Sequence, residues 1–189
     1  MAKGASIKSI LGVVLAGGKS SRMGTDKARL PFGKQTLLDF QFEKLESVLG
    51  RENILVSGNY PHLPYLVDLE VGIGPLGGIT SVINSFPDFT YYLFLPVDMP
   101  NISKKALINL IDFARNDFKS NCWSFKDFQM PLIIKNHPKI QDLLRMPAKD
   151  RSIRNLMEHL KSSTLELGEL NKKEFLNTNT LIEWQEVIL

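Results

Sequence analysis

The chain has 189 residues, of which 43% are hydrophobic and 23% charged, and its formal net charge at pH 7 is +3. This composition is typical of a globular protein, and the length predicts one domain, residues 1–189, with a sizeable hydrophobic core. The mild positive charge argues against a nucleic-acid-binding protein, in which basic residues cluster on one face, but it is compatible with a local site for a small anion.

Cysteine content and hydrophobic patterning indicate where the protein works. The single cysteine, Cys122, excludes an internal disulfide and a metal site built from several cysteines, and it fits a reducing compartment. Trp123 beside it favours a buried structural thiol. The apolar run near the N-terminus, about seven residues long, enters a glycine-rich loop instead of a cleavage site, which argues against a signal peptide. No stretch approaches the roughly 18 apolar residues of a membrane span, so we expect a cytoplasmic protein.

Short apolar runs alternate with segments of helical periodicity along the chain. The runs that resemble buried strands are residues 10–16, 53–57, 65–67, 91–96, 121–125 and 131–135. Helical spacing predicts helices at residues 36–49, 76–86, 103–118, 139–145, 152–161 and 180–187. Ser103 is the expected N-cap of the third helix. This alternation, with uniformly apolar early strands, predicts a parallel sheet covered on both faces, and the closely spaced last two strands predict a mixed or antiparallel edge.

Ligands of such sheets bind at the carboxyl ends of the strands, in the crevice where the strand order reverses. The segments that follow the predicted strands therefore carry the functional information. They read LAGGKSSRMGTDK at residues 15–27, SGNY at 57–60, DLEVGIGPLGG at 68–78 and PVDMP at 96–100.

The first of these segments has the composition of a phosphate-binding loop. Gly17 and Gly18 lack Cβ atoms, so their backbone N–H groups can approach a ligand and form an anion-binding concavity. Lys19, Arg22 and Lys27 place positive charge around it. Arg22 offers a planar fork to phosphate oxygens, and Lys27 offers a compact point charge.

Two common phosphate-binding motifs do not describe this loop. The Walker A pattern needs a glycine five residues before Gly18, where the chain has Val13. Residues 72–77 match the dinucleotide fingerprint G-x-G-x-x-G literally. That fingerprint usually occupies the first strand–helix turn, which here is residues 15–27, so a dehydrogenase is disfavoured.

Asp98 is the candidate metal ligand. It follows an apolar run and lies between Pro96 and Pro100, at the predicted carboxyl end of a strand. Opposite a phosphate site, its carboxylate is predicted to bind Mg²⁺, which proteins hold through one or two carboxylates plus substrate phosphates. The alternative role is that of a turn aspartate or a helix N-cap.

Four motifs together resemble those of a known family. L-A-G-G-x-S-x-R-M-G-x-D-K resembles the signature of nucleotidyltransferases with the nucleotide-diphospho-sugar transferase fold. GPLGG, LPVDMP and FLNTNT, which begin at residues 74, 95 and 175, are similar to three further motifs of the bacterial molybdenum cofactor guanylyltransferases, in the same order. The resemblance implies an α/β protein, a three-layer α/β/α Rossmann-like fold with a mostly parallel mixed sheet.

The resemblance also implies roles for single residues. Those implied to bind GTP are Leu15, Ala16, Gly17, Gly18, Lys27, Ser57, Asp68 and Asp98. Arg22, Lys27 and Asp98 would act in catalysis, with Asp98 binding Mg²⁺, and Asn177 and Asn179 would face the pterin. At Ser57 the chain departs from the family, which often has asparagine there; Asn59 is the alternative contact to the base.

The activity that the resemblance implies is transfer of GMP from GTP to the terminal phosphate of molybdopterin, with release of pyrophosphate. The acceptor phosphate is the nucleophile, so no Ser-His or Cys-His arrangement is needed. The implied partners are GTP, molybdopterin and, transiently, proteins of cofactor delivery, with neither nucleic acid nor membrane. Two alternatives remain: another nucleotidyltransferase, acting with CTP or on a sugar phosphate, and a non-catalytic delivery protein, which the presence of Lys27 and Asp98 disfavours.

Overall fold

The computed structural model describes residues 8–17, 26–67, 74–144 and 152–178. Its strands are β1 (Lys8–Leu15), β2 (Pro31–Phe32), β3 (Gln35–Thr36), β4 (Ile54–Ser57), β5 (Tyr65–Leu66), β6 (Phe89–Pro96), β7 (Cys122–Phe125), β8 (Leu132–Lys135) and β9 (Ser162–Leu165). Its α-helices are α1 (Leu37–Leu49), α2 (Pro75–Ser85), α3 (Lys104–Asn116), α4 (Lys139–Leu144) and α5 (Ile153–His159). No helix within these ranges is long and apolar enough to cross a membrane.

Seven strands form one mixed sheet in the order β5-β4-β1-β6-β8-β7-β9. The strands β5, β4, β1 and β6 pair in parallel, as do β7 and β9, whereas β8 runs antiparallel to both of its neighbours. The predicted mostly parallel mixed sheet is confirmed. The antiparallel strand lies inside the sheet, however, and the edge strand β9 is parallel to β7.

Helices cover both faces of this sheet, as the apolar early strands predicted. Successive side chains of a strand point to opposite faces, and in β1 Val14 packs with α1 and α3 while Val13 packs with α2 and α5. Both valines are fully buried. The result is a three-layer α/β/α arrangement with a hydrophobic core on each side of the sheet.

Three of the helices begin directly after a polar residue that caps them. Ser103 caps α3 through a hydrogen bond from the Ala106 N–H to its hydroxyl, 3.2 Å, which confirms its predicted role. Thr36 and Ser152 cap α1 and α5 in the same way. The helix predicted at residues 180–187 lies outside the described residues.

Cys122 is buried in the core at the start of β7. Burial raises the pKa of its thiol to about 12, because the apolar surroundings disfavour the thiolate. The prediction of a buried structural cysteine is confirmed.

Candidate active site

A cleft of about 560 Å³ opens at the carboxyl ends of β1, β4 and β6. Seven of the residues predicted to act in the site line it: Leu15, Ala16, Gly17, Lys27, Ser57, Asp98 and Asn177. The other four predicted residues, Gly18, Arg22, Asp68 and Asn179, lie outside the described residues. Ser57 is 1% exposed and faces the cleft. Asn59 is exposed and is not among the residues that line it.

Main-chain hydrogen bonds hold the strand ends side by side. The N–H of Ala16 donates to the carbonyl of Ser57 at 3.0 Å, and the N–H of Val97 donates to the carbonyl of Leu15 at 3.0 Å. The parallel hydrogen-bonding ladder therefore continues by one residue past β1 and β6 and fixes the positions at which the three motif segments begin. The turn after β4 requires a glycine at position 58. Its φ is +138°, and a Cβ there would lie only 2.8 Å from the Tyr60 ring.

Lys27 and Asp98 form an ion pair in the cleft. The Nζ of Lys27 lies 3.2 Å from Oδ2 of Asp98, and their side chains are 17% and 19% exposed. Because water is partly excluded, each charge acts more strongly here than on an open surface. The two residues are 71 positions apart in sequence but adjacent in space. Together they offer a cation for phosphate oxygens and a carboxylate for a metal.

Asp26 positions the segment that carries Lys27. Its carboxylate caps the 3₁₀ helix Lys27–Arg29 by accepting from the Ala28 N–H at 3.1 Å, and it accepts from the Tyr60 hydroxyl at 3.0 Å. Burial and the Asp26 charge raise the pKa of the Tyr60 phenol above its usual range, so this hydroxyl stays protonated and continues to donate. Asp26 was part of the recognised motif, but its sequence position gave no sign of this contact.

Side chains from outside the cleft hold the segment 96–100, which carries Asp98. Gln41 on α1 donates to the first carbonyl of the segment at 3.1 Å, and Lys44 donates to the last at 2.6 Å. The backbone N–H of Thr178 donates to the carbonyl of Asp98 at 2.9 Å, and its hydroxyl does so at 3.2 Å. Two separate parts of the chain, α1 and the segment at Thr178, thus fix the backbone beneath the carboxylate.

Lys44 is an ionisable group buried beneath the site, with 7% of its surface exposed. Burial and, to a smaller extent, the charge of Lys104 lower the pKa of its ammonium to about 7, while the charge of Glu174 opposes the shift. Neither Gln41 nor Lys44 was predicted, because their partners are more than 50 residues away and no motif includes them.

The far side of the cleft is formed by the turn between β7 and β8 and by residues near the end of the described chain. Asp127, Phe128, Gln129 and Met130 line it, together with Phe175. Sequence reasoning missed the four turn residues, and Phe175, although it begins the FLNTNT motif, was given no role in the site. The turn lies in a predicted strand pair with no functional motif, and only the sheet order brings it to the cleft.

The oxygen donors of the cleft suit a hard cation such as Mg²⁺. Asp98 offers a carboxylate, and Asp127 and Asn177 also line the cleft with oxygen-bearing side chains. In the ranges that the structure describes, no group of three or more His, Cys, Asp or Glu residues could hold a metal ion by itself. A cation that takes the rest of its ligands from phosphates and water fits this donor set.

Comparison with known proteins identifies the family of this chain. Residues 12–164 match the family model of the MobA-like NTP transferase domain. The molybdenum cofactor guanylyltransferase of Xanthomonas euvesicatoria is 35% identical over 94% of this chain and 93% of its own length.

Solved structures share the fold. Molybdopterin-guanine dinucleotide biosynthesis protein A from Archaeoglobus fulgidus superposes with a TM-score of 0.75 at 19% identity, covering 94% of this chain and 95% of that one. A cytidylyltransferase from Leptospira borgpetersenii gives a TM-score of 0.71 at 17% identity, covering 96% and 85%. Since the family model spans most of the chain and the Xanthomonas relative aligns with nearly all of it, this chain belongs to the MobA-like NTP transferase family.

Proposed function

We propose that the protein transfers GMP from GTP to the terminal phosphate of molybdopterin, forming a guanine dinucleotide cofactor and releasing pyrophosphate. The observation that carries this proposal is the pairing of Lys27 with Asp98 in a cleft at the carboxyl ends of β1 and β6. A cation beside a carboxylate suits a nucleoside triphosphate and its metal. The family supports nucleotidyl transfer, and the guanylyltransferase relative supports these two substrates.

We assign the nucleotide to the side of the cleft formed by β1 and β4. The residues proposed to bind GTP are Leu15, Ala16, Gly17, Gly18, Lys27, Ser57, Asp68 and Asp98. Lys27 and Arg22 would hold the phosphates, Lys27 as a compact point charge and Arg22 through a planar fork of N–H donors. Ser57, whose side chain lies at the cleft, is the proposed contact to the base instead of Asn59.

Mg²⁺ is the proposed metal, and Asp98 would hold it together with phosphate oxygens of GTP. When bound, it would offset negative charge on the phosphates. Gln41 and Lys44 would keep Asp98 in place through the backbone of its segment.

The proposed reaction needs positioning and charge stabilisation from the chain. An oxygen of the acceptor phosphate attacks the α-phosphorus of GTP, and the bond from that phosphorus to the bridging oxygen of the β-phosphate breaks. The acceptor oxygen is already anionic, so no protein base has to remove a proton. Lys27 and Arg22 would stabilise the charge that develops on the departing pyrophosphate, and the cleft would hold the two substrates in line.

We further propose that the protein acts in the cytoplasm and hands its product to cofactor-delivery proteins through transient contacts. A competing proposal is transfer of CMP from CTP to the same acceptor. The observation behind it is Ser57, which lacks the amide of the asparagine that the guanylyltransferases often have there and so offers guanine fewer hydrogen bonds.

A nucleotide panel distinguishes the two. The protein is incubated with Mg²⁺, molybdopterin and one of GTP, CTP, ATP or UTP, and pyrophosphate release is followed. We expect release with GTP and little with the others. Equal or faster release with CTP would replace the guanylyl assignment with the cytidylyl one. No release with any nucleotide would leave a nucleotidyltransferase that acts on a sugar phosphate and the delivery protein as the remaining alternatives.

A further inference from the structure

Three phenylalanine rings lead from the core to the far side of the cleft. Phe125 and Phe175 meet edge to face with ring centroids 4.7 Å apart, and Phe175 and Phe128 stack with centroids 4.7 Å apart and an interplanar angle of 29°. Phe125 and Phe175 are 0% and 2% exposed, whereas Phe128 is half-buried. Phe128 is therefore the outermost ring of the three, and it lines the cleft.

The position of Phe128 is fixed by its turn as well as by the ring beneath it. Its N–H donates to the carbonyl of Phe125 at 3.0 Å, and the N–H of Lys126 donates to the carbonyl of Leu165 at 2.9 Å. The Lys126 ammonium pairs with Glu166 at 2.6 Å. An aromatic side chain held on a closed turn and supported by a buried ring loses little conformational entropy when a ligand packs on it.

The sheet order places this ring opposite the proposed nucleotide subsite. The strands β8 and β7 lie on one side of β6, while β1 and β4, with Ser57, lie on the other. Asn177 lines the same cleft, and the hydroxyl of the neighbouring Thr178 donates a hydrogen bond to the carbonyl of Asp98. The ring is therefore separated from Ser57 by the segments that carry Lys27 and Asp98.

A half-buried phenylalanine at the margin of a core is common, and by itself it indicates only packing. The surroundings of Phe128 differ from such a margin, because Asp127, Gln129 and Asn177 also line the cleft with polar side chains. An apolar ring face bordered by amide and carboxylate groups is the composition of sites that bind flat heterocycles with hydrogen-bonding edges.

We propose that Phe128, supported by Phe175, is the stacking surface for the fused-ring head of the acceptor, with Gln129 and Asn177 at the edge of that ring system. This inference rests on the proposed function, since the acceptor there is a pterin. Aromatic stacking recognises the flat ring system, and the neighbouring amides distinguish a pterin from other flat rings through donors and acceptors.

The test is the variant Phe128→Leu, which keeps an apolar side chain but removes the aromatic face. Binding of free pterin-6-carboxylate is followed by quenching of its fluorescence, binding of GTP by calorimetry, and the KM for molybdopterin by pyrophosphate release. We expect pterin affinity to fall about tenfold and the KM for molybdopterin to rise by a similar factor, as for loss of one stacked ring. The Kd for GTP should stay within twofold.

Two matched variants control for general effects. Phe128→Tyr retains the aromatic face and should restore pterin affinity, and Phe118→Leu makes the same change at a ring that is 87% exposed and not among those lining the cleft. Circular dichroism checks that each variant is folded. Phe128→Met, whose unbranched side chain adapts to irregular gaps, replaces Phe128→Leu if that variant unfolds.

The inference is overturned if Phe128→Leu binds the pterin as the wild type does, if the wild type does not bind it, or if GTP affinity falls instead. Failure of the proposed function has a different signature. Pterin binding would then depend on Phe128 while no nucleotide supports pyrophosphate release.

Discussion

At the residue scale, Lys27 and Asp98 bring opposite charges together at the point where two parallel strands end. Their contact of 3.2 Å joins a cation from the segment after β1 to a carboxylate from the segment after β6. Both side chains remain partly accessible to the cleft, so a ligand can replace either partner. This arrangement makes each of the two residues individually testable.

Removing the charge of Asp98 tests its proposed metal role. Asp98→Asn keeps the shape of the side chain, and its backbone carbonyl can still accept from Thr178, so the variant should fold normally. We expect turnover to fall by at least two orders of magnitude, about 2.7 kcal/mol of activation free energy. Pyrophosphate release measured across a Mg²⁺ titration checks this, and normal rates at every concentration would reduce Asp98 to a turn residue.

Substitution of Asn177 tests whether its polar side chain contacts the proposed acceptor. Its exposed side chain lines the cleft, and Asn177→Ala should weaken molybdopterin binding severalfold and leave GTP binding unchanged. Asn179→Ala, two residues further on, is predicted to behave in the same way. Both affinities are measured for both variants. If Asn179 instead only caps a following helix, its alanine variant should lose about 1 kcal/mol of stability and keep both affinities.

At the element scale, α1 is more than a cover for one face of the sheet. Its buried face carries apolar residues such as Phe42 and Leu45. Beside them it carries Gln41 and Lys44, which donate hydrogen bonds to the segment of Asp98. Through these hydrogen bonds, α1 fixes the position of the segment 96–100, which follows β6 and carries Asp98. Burial of Lys44 is a cost of this arrangement, because an ammonium in apolar surroundings disfavours the folded state.

That cost predicts a pH dependence of stability. The pKa of Lys44 is lowered from 10.5 to about 7 in the folded state, so the unfolded chain binds more protons between these values. The contribution of neutral Lys44 to stability is therefore full above pH 10.5 and is lost as the pH falls towards 7. Relative to Lys44→Met, the wild type should gain unfolding free energy between pH 7 and pH 9 in urea titrations. Lys172→Met, at an exposed lysine, is the control, and parallel profiles of wild type and Lys44→Met would contradict the prediction.

How far the sequence predicts the elements depends on the strength of the local pattern. The early strands and α1 have clear periodicities, and their predicted bounds differ from the observed ones by a residue or two. The strand β9 was missed because its residues alternate between exposed and half-buried and include no strongly apolar run. The two-residue strands β2 and β3 are too short for any period to emerge.

The residues of the site also differ in how far the sequence predicts them. Lys27, Asp98 and Ser57 belong to motifs or to strand ends, so a sequence pattern points to them. Gln41 and Phe128 have no motif, and their relevance arises from tertiary contacts with distant segments, which periodicity does not encode.

At the scale of the whole molecule, two hydrophobic cores pack on the two faces of the sheet, and the described motif residues line a cleft at one end of it. Ligand binding at that end stabilises the folded state because the unfolded chain has no cleft. The extent of stabilisation therefore reports which nucleotide the cleft prefers.

Thermal unfolding compares the nucleotides directly. If the cleft recognises guanine, GTP with Mg²⁺ should raise the melting temperature well beyond CTP at the same concentration. Ligand at 100 times its Kd adds about 2.7 kcal/mol to the unfolding free energy. Ser57→Asn introduces the residue that is common in the guanylyltransferases that the motifs resemble. This variant should not reduce the rise in melting temperature caused by GTP. Equal shifts with GTP and CTP would contradict guanine recognition and leave the nucleotidyltransferase family unaffected.

The ion pair between Lys27 and Asp98 has a thermodynamic consequence for how the substrates assemble. A nucleotide that takes Lys27 without a metal leaves Asp98 as an uncompensated carboxylate next to phosphates, and a metal that takes Asp98 without a nucleotide leaves Lys27 facing a second cation. Each ligand alone therefore binds against repulsion that the other removes, so metal and nucleotide should bind with positive coupling. Linkage requires the coupling to be reciprocal: the factor by which Mg²⁺ tightens GTP equals the factor by which GTP tightens Mg²⁺. Calorimetric titrations in both orders measure that factor, and in Asp98→Asn it should approach one.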